Sequence, residues 1–144
     1  MVPKTLSERI VDILEDRKAR DVVVIDIAEV TVIADFFVIC SGTSTTHIKA
    51  ITDEVEKRLE DDHQLRFKRR EGYSSAKWVL LDYGDVIVHI FNDEDRKFYD
   101  IERLWADGVI TYDARHVDSV GAARGDAVDL SALGPMKLET MRQD

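Results

Sequence analysis

The sequence predicts an α/β fold, a mixed β-sheet of about five strands flanked by helices. Three observations carry this. First, Trp78-Val79-Leu80-Leu81-Asp82 and Val86-Ile87-Val88-His89-Ile90-Phe91 flank a reversal at Tyr83-Gly84. Runs of β-branched and aromatic residues around a glycine free to take positive φ read as a hairpin. Second, both alternating sets of residues 86–91 are mostly apolar. A strand of that kind is covered on both faces, which places it in the middle of a sheet. Third, Leu6, Ile10, Ile13 and Leu14, and later Ile48, Ile51, Val55 and Leu59, form stripes at helical spacing between the strand candidates.

In chain order, Thr5-Leu6-Ser7-Glu8 matches a capping box and opens a first helix that ends near Ala19. Strands follow at residues 21–27 and 36–41, with residues 29–35 readable either as a continuation or as a bend. Ser44 or Thr43 is a suitable N-cap for the second helix. Residues 64–71 are a polar, basic strand candidate with Leu65 and Phe67 on one face, and residues 71–75 form a loop into the hairpin. Asn92 or Asp93 caps a third helix carrying Phe98, Ile101, Leu104 and Trp105, which stops near Gly108. Beyond that point apolar residues become sparse, and Gly121, Gly125, Gly134 and Pro135 punctuate the chain. The expected organisation is one domain over residues 1–108 and a weakly structured extension over 109–144, with a short helix near residues 137–141.

Length and composition are those of an ordinary globular protein: 144 residues, 44% hydrophobic and 34% charged, enough to bury about 68–70% of the unfolded chain's surface. No apolar run approaches the roughly 18 residues of a membrane span. The first residues, Met1-Val2-Pro3-Lys4-Thr5, lack the apolar stretch of a signal peptide. The single cysteine, Cys40, has no intrachain partner and reads as a small buried hydrophobe, so a reduced, cytoplasmic setting is expected. A net charge of −9 repels phosphate and suits a basic protein partner better than nucleic acid.

Few residues suggest chemistry. Ser41-Gly42-Thr43-Ser44, between a strand and a helix, can receive an anion at the helix N-terminus and is similar to the glycine-serine turn of nucleotidyltransferases. Those enzymes need paired carboxylates alternating on a nearby strand to hold two metal ions. Here Asp82 and Asp85 bracket a turn instead, where aspartates ordinarily bond the turn's own backbone. His47, His63, His89 and His116 have no metal-ligand spacing among themselves or with Cys40. His89, between Val88 and Ile90, reads as a core or interface residue. No catalytic residue, cofactor or metal site is therefore expected. Arg66-Phe67-Lys68-Arg69-Arg70 is the one basic cluster; on a strand, Arg66, Lys68 and Arg70 share a face, suiting either a solvated edge or RNA. Tyr73, Trp78, Tyr83, Tyr99 and Trp105 are candidates for contact hot spots, with core filling as the plainer role.

Taken together these segments resemble the ribosomal silencing factor family (RsfS, also called Iojap). Ala34-Asp35-Phe36-Phe37-Val38-Ile39-Cys40-Ser41-Gly42-Thr43-Ser44, with His47 and Ala50-Ile51, is similar to its first signature. Glu71-Gly72 with residues 78–91, and Arg96-Lys97-Phe98-Tyr99-Asp100-Ile101-Glu102-Arg103-Leu104-Trp105, match the second and third. The resemblance runs collinearly over residues 6–107 and leaves 109–144 outside. It implies a nucleotidyltransferase-like fold without the catalytic carboxylates, and binding in place of chemistry. Family members dock on a ribosomal protein at the intersubunit face of the large ribosomal subunit. There they block joining of the small subunit, repressing translation when nutrients are short. Roles in subunit maturation and homodimers in the free state also belong to the family. On this reading Trp78, Leu81, Asp82, Tyr83, Asp85, Arg96 and Tyr99 contact the ribosomal protein. Two rivals are an assembly factor that binds RNA through residues 66–70 and a divergent nucleotidyltransferase.

Overall fold

The computed structural model describes residues 1–115. Its elements are α1 (Pro3–Asp16), β1 (Arg20–Asp26), β2 (Phe36–Ser41), α2 (Thr45–His63), β3 (Arg69–Glu71), β4 (Trp78–Asp82), β5 (Val86–Phe91), α3 (Asp93–Tyr99), α4 (Ile101–Leu104) and β6 (Val109–Asp113). The six strands form one mixed sheet in the order β3-β4-β5-β2-β1-β6. β2 and β5 are parallel, and every other neighbouring pair is antiparallel. All six residues of β2 and all six of β5 are buried, the condition expected of parallel strands covered on both faces.

The two faces differ. Beneath α1 and α2 lies the larger core, which includes Leu6, Ile10, Leu14, Ile48, Val55, Leu59, Val38, Leu81, Tyr83 and Val88. On the other side Phe37, Ile39, Trp78, Leu80, Phe91, Ile101, Leu104 and Trp105 pack under the short helices α3 and α4. Strand alternation divides the side chains between them: Leu81 and Val88 point to the first face, Leu80 and Ile87 to the second.

β2, the hairpin strands and the second helix fall where the sequence puts them. Ser44 is the N-cap of α2, its Oγ accepting the His47 N–H at 3.0 Å. At the hairpin tip Gly84 has φ +89°, and Asp82 Oδ1 accepts the Gly84 N–H at 2.7 Å.

Four expectations change. α1 starts at Pro3 with Val2 as its N-cap and no side-chain cap, because proline's fixed φ suits the first helical position. The capping box over residues 5–8 is thus inside the helix, with Ser7 Oγ bonding back to the Lys4 carbonyl at 2.7 Å. β3 has only three residues. Gln64 takes the left-handed conformation (φ +51°) that ends α2, so the chain from 64 to 68 rounds a corner before it reaches the sheet. The third helix breaks at Asp100, also left-handed at φ +48°, into α3 and α4. The break takes Phe98 out of the apolar stripe and leaves it 78% exposed. Finally, the sheet continues past residue 108, since Val109–Asp113 pairs with β1 as an edge strand. Its five exposed residues give no apolar alternation to read. The extension and short helix expected beyond residue 115 lie outside the described residues.

Candidate functional site

The aromatic residues of the α3–α4 face form a connected series. Trp105 meets Phe37 edge-on at 5.2 Å between ring centroids, and Phe37 meets His89 edge-on at 4.6 Å. Trp78 stacks on Phe91 at 4.7 Å and lies against Tyr99 at the same distance. Tyr99 meets Phe98 edge-on at 5.0 Å. The series thus runs from the protein interior to a ring in solvent, each step at a favourable aromatic spacing.

Trp78 is fixed by more than packing. Its indole N–H donates to His89 Nδ1 at 3.0 Å, so His89 is neutral, with its proton on Nε2. Nε2 itself has no hydrogen-bond partner among the described residues. Burial pushes the His89 pKa down from 6.5 to about 3. Upstream, Gly72 is bound to this site by shape. At φ +82° a Cβ there would stand 2.0 Å from the Trp78 carbonyl oxygen, so only glycine fits.

Asn92 is the N-cap of α3, its Oδ1 accepting the Asp95 N–H at 2.7 Å. Asp93, Glu94 and Asp95 occupy the first turn, where negative charge complements the helix dipole. On its inner side Arg96 is buried at 8% exposure. Its Nη1 donates to Ser41 Oγ at 2.9 Å and its Nη2 to the Asp21 carbonyl at 2.7 Å. Nε and Nη2 both reach Glu102 Oε2, at 2.9 and 2.8 Å.

The seven residues assigned to docking do not make one surface. Trp78 and Tyr99 share the α3–α4 face, while Leu81 and Tyr83 are buried under the long helices. Asp82 is held by the turn and by Arg69 at 3.1 Å. Asp85 is exposed at the hairpin tip, the far end of β4 and β5 from α3. Arg96 faces inward. Phe98, absent from that set, is the aromatic ring that stands in solvent beside Tyr99. Its identity as an aromatic was visible in the sequence, but its helical spacing with Ile101 and Leu104 pointed inward.

The other candidate segments are closed by their own contacts. In the Gly42 turn the Thr43 N–H donates to His47 Nδ1 at 2.9 Å, and His47 Nε2 donates to the Arg17 carbonyl at 2.8 Å. Burial pushes the Cys40 thiol up to about 12. In the basic cluster Arg66 pairs with Glu60, Arg69 with Asp82 and Arg70 with Glu56, at 3.0–3.1 Å. Each of the three arginines thus has an acidic partner within its own fold. Among the described residues no three His, Cys, Asp or Glu side chains are placed to hold a metal ion. No described helix is long and apolar enough to cross a membrane.

The structure is therefore that of a mixed α/β sheet domain with two unlike faces. One is sealed by two long helices; the other is capped by a short helix pair that leaves an aromatic end in solvent. Comparison with known proteins agrees with the signatures. The sequence model of the family described as "Ribosomal silencing factor during starvation" matches residues 2–132. A ribosomal silencing factor RsfS of Halalkalibacterium halodurans is 40% identical over 107 residues, covering 74% of this chain and 91% of that one. A protein of Chromobacterium violaceum solved by crystallography superposes with a TM-score of 0.71 at 32% identity, covering 74% of this chain and 88% of its own. The mouse protein "Mitochondrial assembly of ribosomal large subunit protein 1" is 31% identical over 103 residues, 68% of this chain and 44% of its own length. This chain belongs to the ribosomal silencing factor family. The family match reaches residue 132, well past residue 107, where the resemblance in the signatures stopped.

Proposed function

We propose that this protein binds the large ribosomal subunit through a ribosomal protein on the intersubunit face and, once seated, sterically prevents the small subunit from joining, so that translation is repressed. The observation that carries the reading is the aromatic series ending in Phe98, with Tyr99 and Trp78 behind it. A solvent-facing ring on rigid aromatic support loses little freedom on binding and is the typical material of an interface hot spot. Asp93, Glu94 and Asp95 border it on α3, and the chain's charge of −9 favours approach to a basic protein. Tyr99 belongs to the contact and Trp78 supports it from the core, being as buried as Tyr83; Leu81 and Tyr83 maintain the fold on the other face, and Asp82 and Asp85 shape the distant hairpin tip.

On this reading the protein acts by occupation, without catalysis, in the cytoplasm, and is a homodimer when free. A dimer that covers the same aromatic face competes with docking. A second reading, assembly of the large subunit, is favoured by the name of the mouse relative. RNA contact through residues 66–70 is disfavoured by the acidic partners of the three arginines.

Sedimentation of purified large and small subunits, with and without the protein, tests the proposal. Co-migration with the large subunit together with fewer joined particles supports silencing. Co-migration with joining unaffected supports assembly instead, and no association with either subunit overturns both. Phe98→Ala, at a ring already in solvent, should leave stability unchanged and weaken binding by about 2 kcal/mol, roughly thirtyfold in Kd.

A further inference from the structure

We propose that Arg96 is a positioning residue for the docking face: it sets the placement and rotation of α3, and so of Phe98 and Tyr99, without touching the partner. The inference rests on the docking reading above.

α3 has seven residues, far fewer than a helix needs to persist alone in water. Such a helix is ordinarily held by an apolar stripe, yet its one buried residue is Arg96. The guanidinium draws three separate elements together. Ser41 is the last residue of β2 and is 1% exposed. Asp21 lies near the start of β1 in the left-handed conformation (φ +50°) and offers its carbonyl. Glu102 is on α4 and lies 89% out of solvent. A planar fork bonded on three sides fixes an orientation as well as a distance, which the point charge of a lysine does not do.

Helix geometry turns that anchor into a presentation device. Successive residues are about 100° apart around the axis, so Phe98 lies about 200° from Arg96, on nearly the opposite side. Turning the guanidinium inward therefore turns Phe98 outward. Tyr99, about 300° from Arg96, falls back beside it and meets Trp78 at 4.7 Å. One buried fork thus decides which aromatic faces solvent and which supports it.

Arg96→Lys, Phe98→Ala and the double variant, titrated onto purified large subunits, test this. In parallel, amide hydrogen exchange over residues 93–99 is followed in the free proteins. Arg96→Lys alone should weaken binding about tenfold, but less than about twofold in the Phe98→Ala background, because both changes remove one presented contact. The α3 amides should exchange faster while those of β2 and β5 stay protected. Ser41→Ala, which removes one acceptor far from any partner, should reproduce a smaller version of both effects if Arg96→Lys fails to fold. Unchanged α3 exchange in the folded variants overturns the proposal, as does an Arg96→Lys loss that persists in full without Phe98. If Phe98→Ala binds like the wild type, the docking face itself is wrong. The proposal then falls with it, whereas a Phe98→Ala loss alongside unchanged α3 exchange in Arg96→Lys refutes the positioning role and leaves the docking face standing.

Discussion

Replacing His89 by asparagine separates one buried titration from all others. In the folded protein His89 is fully buried and its pKa is lowered from 6.5 to about 3. The unfolded chain therefore binds a proton that the native state refuses throughout the window between those values. The sign follows: stability is whole above about pH 6.5 and falls with acidification, by about 1.36 kcal/mol per pH step within the window. From pH 7 to 4.5 the loss assigned to this residue is about 2–3 kcal/mol, and it reaches about 4 kcal/mol near pH 3, where the native state itself begins to take up the proton. For a domain whose total stability is about 5–15 kcal/mol, that is a large share. Asparagine offers an oxygen near the position of Nδ1, able to accept the Trp78 N–H, and does not titrate. Urea unfolding followed by tryptophan fluorescence at pH 7, 6, 5 and 4.5 gives both curves. The variant will be less stable at pH 7 because the smaller side chain leaves a cavity, so the difference between the two pH slopes is the quantity to compare. The wild type should lose about 2–3 kcal/mol more than His89→Asn over that range. Parallel curves would refute the argument, since they would mean that His89 accepts its proton in the native state.

Two further outcomes follow from the packing. Gly72→Ala forces a Cβ towards the Trp78 carbonyl at a positive φ and should cost at least about 3 kcal/mol; a urea midpoint equal to the wild type would show that the loop yields freely. Cys40, fully buried with its thiol raised to about 12, should react with a thiol-specific disulfide reagent at less than about 1% of the rate seen in urea. Immediate stoichiometric release of the chromophore from the native protein would contradict that burial.

The parts legible in the sequence are those whose burial is decided locally. β2 and β5 are apolar on both alternating sets, and no neighbour is needed to see that they are central. The Ser44 cap and the Gly84 turn are likewise set by residues within a few positions. The parts that were not legible depend on distant chain. β6 is a strand because β1 offers it an edge; Val109, Ile110, Thr111 and Tyr112 are strand formers, but five exposed positions add no apolar alternation to that propensity. Arg96 is a charged residue in a polar helix, and only the convergence of Ser41, Asp21 and Glu102 reveals that it is interior. Phe98 was misplaced for a related reason: the helical stripe was sound on both sides of Asp100, but one left-handed residue rotates the two halves apart. The proposed docking site was harder still, because a signature residue buried in the core and one left at the surface look alike in sequence.

The parallel pairing of β2 with β5 has a consequence for how the molecule comes into being. Phe36 lies beside Val86 and Ser41 beside Phe91, so the centre of the sheet is a seam between stretches fifty residues apart. On one side α1, β1 and β2 can close through near neighbours, and on the other the β4–β5 hairpin can form by itself. Joining them must carry α2 across as the connecting arm, a long-range closure of the kind that slows folding. Until it closes, two strands destined for complete burial stand with open edges, and a nascent chain remains in that state until Phe91 has left the ribosome that made it.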